Sequence, residues 1–459
     1  MADMKALVAV VIPLVFLLWN KSKKKYPPGA KRLPLFGNLF DLPSHHAGER
    51  FAQFSKDLDS DIVYLDALGK PFIILNFLEA CNDLLEKRSN IYSSRFHMTM
   101  AYDPQDNSKT PVLICHVCSV AVLAEVSGLP IKRVNDPWIA LSEESMTQIT
   151  AAVVPGKYVV DALPFLKYIP EWFPGAGFKK EAREDGTVRP SYLSRSPEEV
   201  KKGDGAAERL IENIGDMHTA GGTDTSVTAV QNLFIILLLF PEIQVKGQAE
   251  LDSVVGHGRL PDFEDKPHLP YITAVLKGLL RWRPVVPTGL PHMITEDDEY
   301  RGYFIPKGSI VVGNTWCGCP LRQPSAITKS ERGIMHDEKT FPEPSKFDPT
   351  RFLTPDGRLK KDKSIPDPEM DATFGFGRRK CVGLDFGLDS YWLGSAYIVA
   401  CFHVTPELDE KGNTIPPKFE YLGKEVIDHP EPFKCRIKPR SEEVVALIRA
   451  GYDETSEYI

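Results

Sequence analysis

The stretch Phe374-Gly375-Phe376-Gly377-Arg378-Arg379-Lys380-Cys381-Val382-Gly383 decides how the rest of the chain is read. It predicts a loop that turns sharply and delivers one cysteine to the start of a helix. Gly375 and Gly377 permit backbone conformations that a Cβ resists, and let the chain lie close to a flat ligand. A helix following Cys381 directs unpaired N–H groups and a positive dipole end at the sulfur. That environment favours the thiolate, the metal-binding form. Arg379 is placed to pair with an anionic group beside the cysteine, and Phe374 to shield the sulfur from water. Lone cysteines are often just small buried hydrophobes, but Phe-x-x-Gly-x-Arg-x-Cys-x-Gly is a far more demanding pattern.

This pattern resembles the haem-ligand loop of the cytochrome P-450 family. The resemblance implies a mainly α fold with small β-sheets. It also implies haem (iron protoporphyrin IX) as cofactor, with Cys381 as the axial metal ligand. Phe374, Gly377, Arg379 and Gly383 become cofactor-binding positions, Arg379 on a propionate. A thiolate ligand pushes electron density onto iron and favours O–O cleavage.

A chain of 459 residues, 42% hydrophobic and 25% charged, is an ordinary globular composition with a large core. The net charge of −7 supplies no case for nucleic-acid binding, which needs a basic stripe. The eight cysteines are scattered, which argues against a disulfide framework and for a reducing compartment. Cys115-His116-Val117-Cys118 has metal-ligand spacing, but Cys317-Gly318-Cys319 is too tight to be a standard second half of a zinc site.

Ala6 to Trp19 is an apolar run interrupted only by Pro13, and a lysine cluster from Lys21 to Lys25 follows it. The run is shorter than the roughly 20 residues that span a bilayer cleanly, and its basic cluster lies on the wrong side for a signal peptide. We expect a membrane anchor over residues 1–25, with the lysines keeping the following domain, residues 26–459, in the cytosol. Tyr26-Pro27-Pro28-Gly29 is a stiff break between the two, and the family carries a proline-rich hinge here.

Further along, Glu49–Leu58 reads as a helix. Asp61–Asn76 reads as a hairpin turning at Gly69-Lys70, and Phe77–Arg88 returns to helical spacing. A long helix is predicted from Ala206 to Phe240. It contains Ala220-Gly221-Gly222-Thr223-Asp224-Thr225-Ser226. Two internal glycines cost about 1 kcal/mol each relative to alanine, a cost borne readily where a ligand lies against the backbone. The segment resembles the family's oxygen-binding groove. By that resemblance the catalytic residues are Thr225, hydrogen-bonding dioxygen, and Asp224, feeding a proton relay.

Helices are also predicted over Pro241–Val255 and Leu269–Trp282. In the second, Arg281 matches the arginine of the family's Glu-x-x-Arg, but Gly278 stands at the glutamate position. Phe347-Asp348-Pro349-Thr350-Arg351-Phe352 resembles the partner motif of that network. Arg281 and Arg351 are therefore expected to face each other without a carboxylate. Breaking a buried ion pair typically costs about 3–5 kcal/mol, which predicts weak haem retention. His292, closing the extended segment from Pro284, sits where a cationic propionate partner is expected.

Two regions look trimmed and one looks added. Trp138 is followed by Ile139-Ala140-Leu141-Ser142, so the family's Trp-x-x-x-Arg helix is expected to be missing. The polar stretch Lys179–Gly205 leaves a shortened pocket roof. Cys317–Gly333 reads as an insert, expected as a disordered surface loop. Leu384–Val404 reads as an apolar helix behind the cysteine, and Phe433–Arg440 as part of a closing hairpin.

Phe173 to Phe178 and the cysteine loop look most like fungal microsomal members. The implied reaction inserts one atom of O2 into an apolar small molecule. Its electrons come from NADPH through a membrane-bound flavoprotein reductase docking near Arg378 and Lys380. The implied location is the endoplasmic reticulum membrane. The alternatives are a degenerate, haem-poor member, a non-catalytic haem-binding protein, and a membrane-anchored interaction protein without haem.

Overall fold

The computed structural model describes residues 24–96, 205–316, 333–361, 365–423 and 426–456. The anchor segment 1–23, the stretch 97–204 and residues 317–332 lie outside these. So do Trp138, the Cys115–Cys118 pair and most of the expected insert.

Strands β1 (Ile62–Ala67) and β2 (Lys70–Leu75) form the predicted hairpin. Leu68 and Gly69 turn it with φ of 53° and 82°, the left-handed pair that matches strand twist. Period-two alternation then sorts the side chains. Ile62, Tyr64, Ile73 and Leu75 enter one buried layer with Leu84, Leu85 and Tyr92. Val63, Leu65, Phe72 and Ile74 enter another with Phe51 and Phe54 of α1 (Ala47–Asp57). Buried on both faces, β2 can recruit a distant parallel neighbour. That neighbour is β6 (Ile310–Gly313), in the register Phe72↔Ile310, and β3 (His292–Met293) completes the sheet in the order β1-β2-β6-β3. β4 (Asp298–Tyr300) and β5 (Tyr303–Ile305) form a separate hairpin. The predicted helical stretch after β2 is two short pieces, Leu78–Cys81 and a wider turn over Asn82–Lys87.

The helical half is built from α2 (Gly205–Leu239), α3 (Pro241–Val254), α4 (Pro270–Trp282) and α5 (Leu384–Cys401). Leu233, Ile236, Leu276, Leu280, Trp392 and Val399 share their core. Its two buried indoles are satisfied, Trp392 donating to Thr273 Oγ1 (3.0 Å) and Trp282 to the Ser345 carbonyl (2.9 Å), as buried N–H groups require.

Helix α5 ends earlier than expected. Phe402 is already extended, and Phe402–Pro406 forms β7, paired antiparallel with β8 (Cys435–Pro439). The apolar run Ile398 to Val404 fits either state, and the β8 edge decides it. The chain closes with α6 (Glu442–Ser456). Among the described residues no single helix is long and apolar enough to cross a membrane. The architecture is mainly helical with small sheets, as expected.

Candidate active site

The cysteine loop is held from below. Lys277 of α4 reaches Asp367 at 2.7 and 2.8 Å and Glu369 at 2.6 Å, tying the segment before the loop to the helical core. Gly375 (φ 80°) and Gly377 (φ 56°) both adopt left-handed backbone. The Gly377 N–H donates to Glu86 Oε2 at 2.7 Å, and a Cβ on Gly377 would stand 2.2 Å from the Leu85 carbonyl oxygen. Phe376 is buried in the sheet-side core. The Cys381 N–H donates to the Phe374 carbonyl at 2.8 Å and closes the loop.

α5 begins at Leu384, as the sequence predicts, with Gly383 as its N-cap residue. One expectation changes here: the Phe374 ring does not cover the sulfur. It packs toward Gly387 and the helical core, and Cys381 stays exposed, because the ring gains more burial in that core than over an open thiol.

Thr225 and Ser226 of α2 donate back to the Gly221 carbonyl (2.6 Å) and the Gly222 carbonyl. Tyr391 of α5 is buried near Thr225, Ser226 and Cys381; burial, more than any of these neighbours, pushes its hydroxyl up. Tyr391 therefore brings the cysteine side and the α2 side into one neighbourhood. A Cβ on Gly221 would meet nothing within 4 Å, so the backbone faces open space there. Asp224 points to His429 rather than to Thr225, with Oδ2 3.1 Å from Nε2.

A basic cluster borders the cysteine loop. Arg379 Nε donates to the Ser93 carbonyl at 2.7 Å, and Arg95 donates to the carbonyls of Leu290 and Pro291. His292 lies 5% exposed between them, its Nδ1–H given to the Tyr92 carbonyl at 2.8 Å. Burial, then the charges of Arg95 and Arg379, push His292 down to about 4. Without a bound anion, burial beside two guanidiniums favours the neutral imidazole at 292. An excess of positive charge of this kind fits a dicarboxylate such as the haem propionates, and the exposed sulfur and open glycine backbone fit a flat ring between them.

The depressed His292 has a consequence for the haem-free protein. Unfolded, the ring takes a proton near its ordinary 6.5; folded, it resists until about 4. The unfolded state binds more protons in that window, so stability is full above about 6.5 and falls as the pH drops toward 4. Urea titrations should show His292 costing up to about 3 kcal/mol across the window, at 1.36 kcal/mol per pH unit. His292→Asn should flatten the dependence; an unchanged slope in that variant would refute the assignment. Buried His336, pushed down by burial and by Arg281 and Arg283, adds to the background slope.

The arginine network also differs in detail from expectation. Arg281 donates to the carbonyls of Met335 and Lys346, and Arg351 to the Glu343 carbonyl. A Cβ at Gly278 would lie 3.1 Å from the Phe347 ring, so Phe347 crowds the place where a glutamate stem would start.

Sequence reasoning missed Arg95, Tyr391 and His429. Arg95 follows an unremarkable Ser-Ser pair, Tyr391 reads as one more apolar position in α5, and His429 lies in a proline-punctuated tail. Nothing local marks any of them.

A cysteine loop leading into α5, which packs on a long helix containing Gly221-Gly222 and is flanked by a small mixed sheet, is the arrangement of a haem-thiolate oxygenase. The model of the family described as Cytochrome P450 matches residues 191–435. The chain is 36% identical over 511 residues to cytochrome P450 monooxygenase 98 of Postia placenta, covering 95% of this chain and 94% of that protein. It is 34% identical to cytochrome P450 monooxygenase ple1 of Rhodocybe pseudopiperita, covering 96% and 94%. It is 32% identical to the tryptamine 4-monooxygenase of Psilocybe cyanescens, covering 93% and 95%. The chain belongs to the cytochrome P450 family and is a monooxygenase of that family. These alignments are longer than the 459-residue chain, so the relatives carry residues that this chain lacks.

Proposed function

We propose that the Cys381 thiolate would hold the iron of a haem, that Arg379, Arg95 and His292 would hold its carboxylates, and that Thr225 and Asp224 hold and pass protons in the α2 groove. The haem, when bound, supplies the iron at which dioxygen is reduced. Gly377 and Gly383 let the loop pass close to the ring, and Phe374 anchors the loop to the helical core. Thr225 holds a hydroxyl in the α2 groove where Gly221 leaves space, and Asp224 is its neighbouring acid. A propionate beside His292 would favour its protonated form, since an opposite charge at short range stabilises the cation. The observation that carries this reading is the glycine-turned loop that leaves Cys381 exposed, with Arg379 and Arg95 gathered beside it.

The same reading assigns electrons from NADPH through a flavoprotein reductase, docking beside Arg378 and Lys380, and an apolar substrate. Residues 1–25 anchor the enzyme to the endoplasmic reticulum membrane, with the catalytic domain in the cytosol. Gly278, crowded by Phe347 where the family's glutamate belongs, supports weak haem retention.

The test is the reduced carbon-monoxide difference spectrum after expression with haem precursor. Wild type should give the thiolate-type Soret band, and Cys381→Ala should lose it completely. A band that survives the substitution would remove Cys381 from the site. Haem occupancy well below one per chain in the wild type, rising in Gly278→Glu/Phe347→Leu, would identify the missing glutamate as the cause.

A further inference from the structure

The loop Tyr421–Pro430 folds back across α2 and places one histidine against the groove. Tyr421 donates to Asn232 Oδ1 at 2.7 Å, the Asp428 N–H donates to the Val285 carbonyl at 2.9 Å, and Asp428 lies 3.9 Å from Arg283. Held at these points, His429 presents both ring nitrogens to α2. Its Nε2 lies 3.1 Å from Asp224 Oδ2, and its Nδ1 lies 2.9 Å from Thr228 Oγ1.

We propose that His429 is the positioning residue for Asp224 and the donor that resupplies it with protons, a role that rests on the assignment of Asp224 above. Thr228 is one turn beyond Asp224 and its side chain also lies 2.9 Å from the Asp224 carbonyl. Its hydroxyl donates to that carbonyl and so turns a lone pair to Nδ1–H. With the ring doubly protonated, Thr228 accepts Nδ1–H while Nε2–H goes to the Asp224 carboxylate. With the ring neutral after its Nε2 proton has passed to Asp224, Thr228 still accepts Nδ1–H and the new Asp224 O–H donates back to Nε2. Both charge states of His429 are satisfied with no heavy atom moving. A group that gains and loses protons needs that property, because an unsatisfied buried donor or acceptor costs about 1–3 kcal/mol.

The proton count closes. The Nε2–H bond breaks as an O–H bond forms on Asp224 Oδ2; Asp224 passes that proton to the groove; Nε2 then takes a proton from water. No electrons move. The His429 side chain is 18% exposed and that of Asp224 14%, while Thr228 is fully buried. Water therefore reaches the ring, and the buried hydroxyl serves only to hold it. On the loop side Asp428 faces Arg283 and also feels His46 and His429, while Asp224 is hydrogen-bonded to the ring through Nε2.

Two measurements on the full-length protein test this. In protein labelled with 15N at histidine, haem-free and haem-loaded, His429 should show two protected ring N–H signals near neutral pH. Thr228→Val should lose the Nδ1–H signal and Asp224→Asn should shift the Nε2–H signal. Ring signals that ignore both substitutions would overturn the geometry.

The second measurement follows NADPH consumed and hydrogen peroxide released by the haem-loaded enzyme with a flavoprotein reductase and an apolar compound that shifts its spin state. A glutamine side chain in place of the ring keeps a donor to Asp224 but cannot carry a proton. His429→Gln should therefore slow productive turnover about tenfold and raise peroxide per NADPH. That loss is smaller than the roughly 10²–10⁴ expected for removing a general acid itself. It should also enlarge the solvent deuterium isotope effect, which a purely structural role would leave alone. If Asp224→Asn uncouples the enzyme and His429→Gln does not, the inference fails and the assignment of Asp224 stands. If Asp224→Asn leaves coupling intact, that assignment fails and the inference fails with it. Should a histidine variant fold poorly, Thr228→Val, isosteric and fully buried, carries both measurements.

Discussion

Gly377→Ala is expected to destabilise the protein by about 2–5 kcal/mol and to unseat the cysteine loop. Two costs combine. At φ 56° a side chain costs about 1–2 kcal/mol from the left-handed backbone alone. The new Cβ would also stand 2.2 Å from the Leu85 carbonyl oxygen. That oxygen belongs to backbone packed in the sheet-side core, where Leu85 is 1% exposed, so it cannot swing aside as a side chain would. Overpacking of this kind adds about 1–3 kcal/mol or more. Gly375→Ala is the internal control. Its φ of 80° is equally left-handed, but the nearest atom to its Cβ is Arg379 O at 3.6 Å, so only the conformational cost remains. Denaturant midpoints of the two variants should differ by at least about 1 kcal/mol; equal and mild losses would show that the loop is not pressed against Leu85.

Lys277→Met should cost about 3–5 kcal/mol, the usual effect of removing one member of a buried pair. The ammonium is 12% exposed and Glu369, at 2.6 Å, is 17% exposed. Asp367 is 42% exposed and contributes little, because water screens it. Burial pushes the Glu369 carboxyl up, and Lys277 pulls it back. Without the lysine that carboxylate is left buried and uncompensated. The loss should therefore shrink in Lys277→Met/Glu369→Gln, and should ease on acidification as Glu369 takes a proton. A double variant as unstable as the single one would show that the pair is not coupled. Because this pair ties α4 to the segment before the cysteine, haem occupancy should fall together with stability.

Much of the site was legible in local sequence. The glycine spacing around Cys381 predicted a left-handed loop, because no other residue type takes those angles cheaply. Alternation across Asp61–Asn76 predicted the hairpin, and the apolar spacing of α2 to α5 predicted their helices. Residues 1–23 of the expected anchor, the trimmed stretch up to residue 204 and residues 317–332 of the insert lie outside the described residues.

Other features came only from contacts between distant segments. The end of α5 at Cys401 depends on the β8 edge, since the run from Ile398 to Val404 suits helix and strand alike. His292 reads as a cation in sequence and, without a bound anion, is neutral in the fold, because two arginines from other elements and its burial act on it together. Asp224 hydrogen-bonds His429, a residue far along the chain from it. The motif from Phe374 to Gly383 by itself determined the resemblance to the family, the fold class that resemblance implies, and Cys381 as the candidate ligand, because a loop of this kind is encoded within a few residues. Tertiary structure alone decided charge states, hydrogen-bond partners and the crowding at Gly278, because each is a sum over neighbours that the chain brings together only when folded.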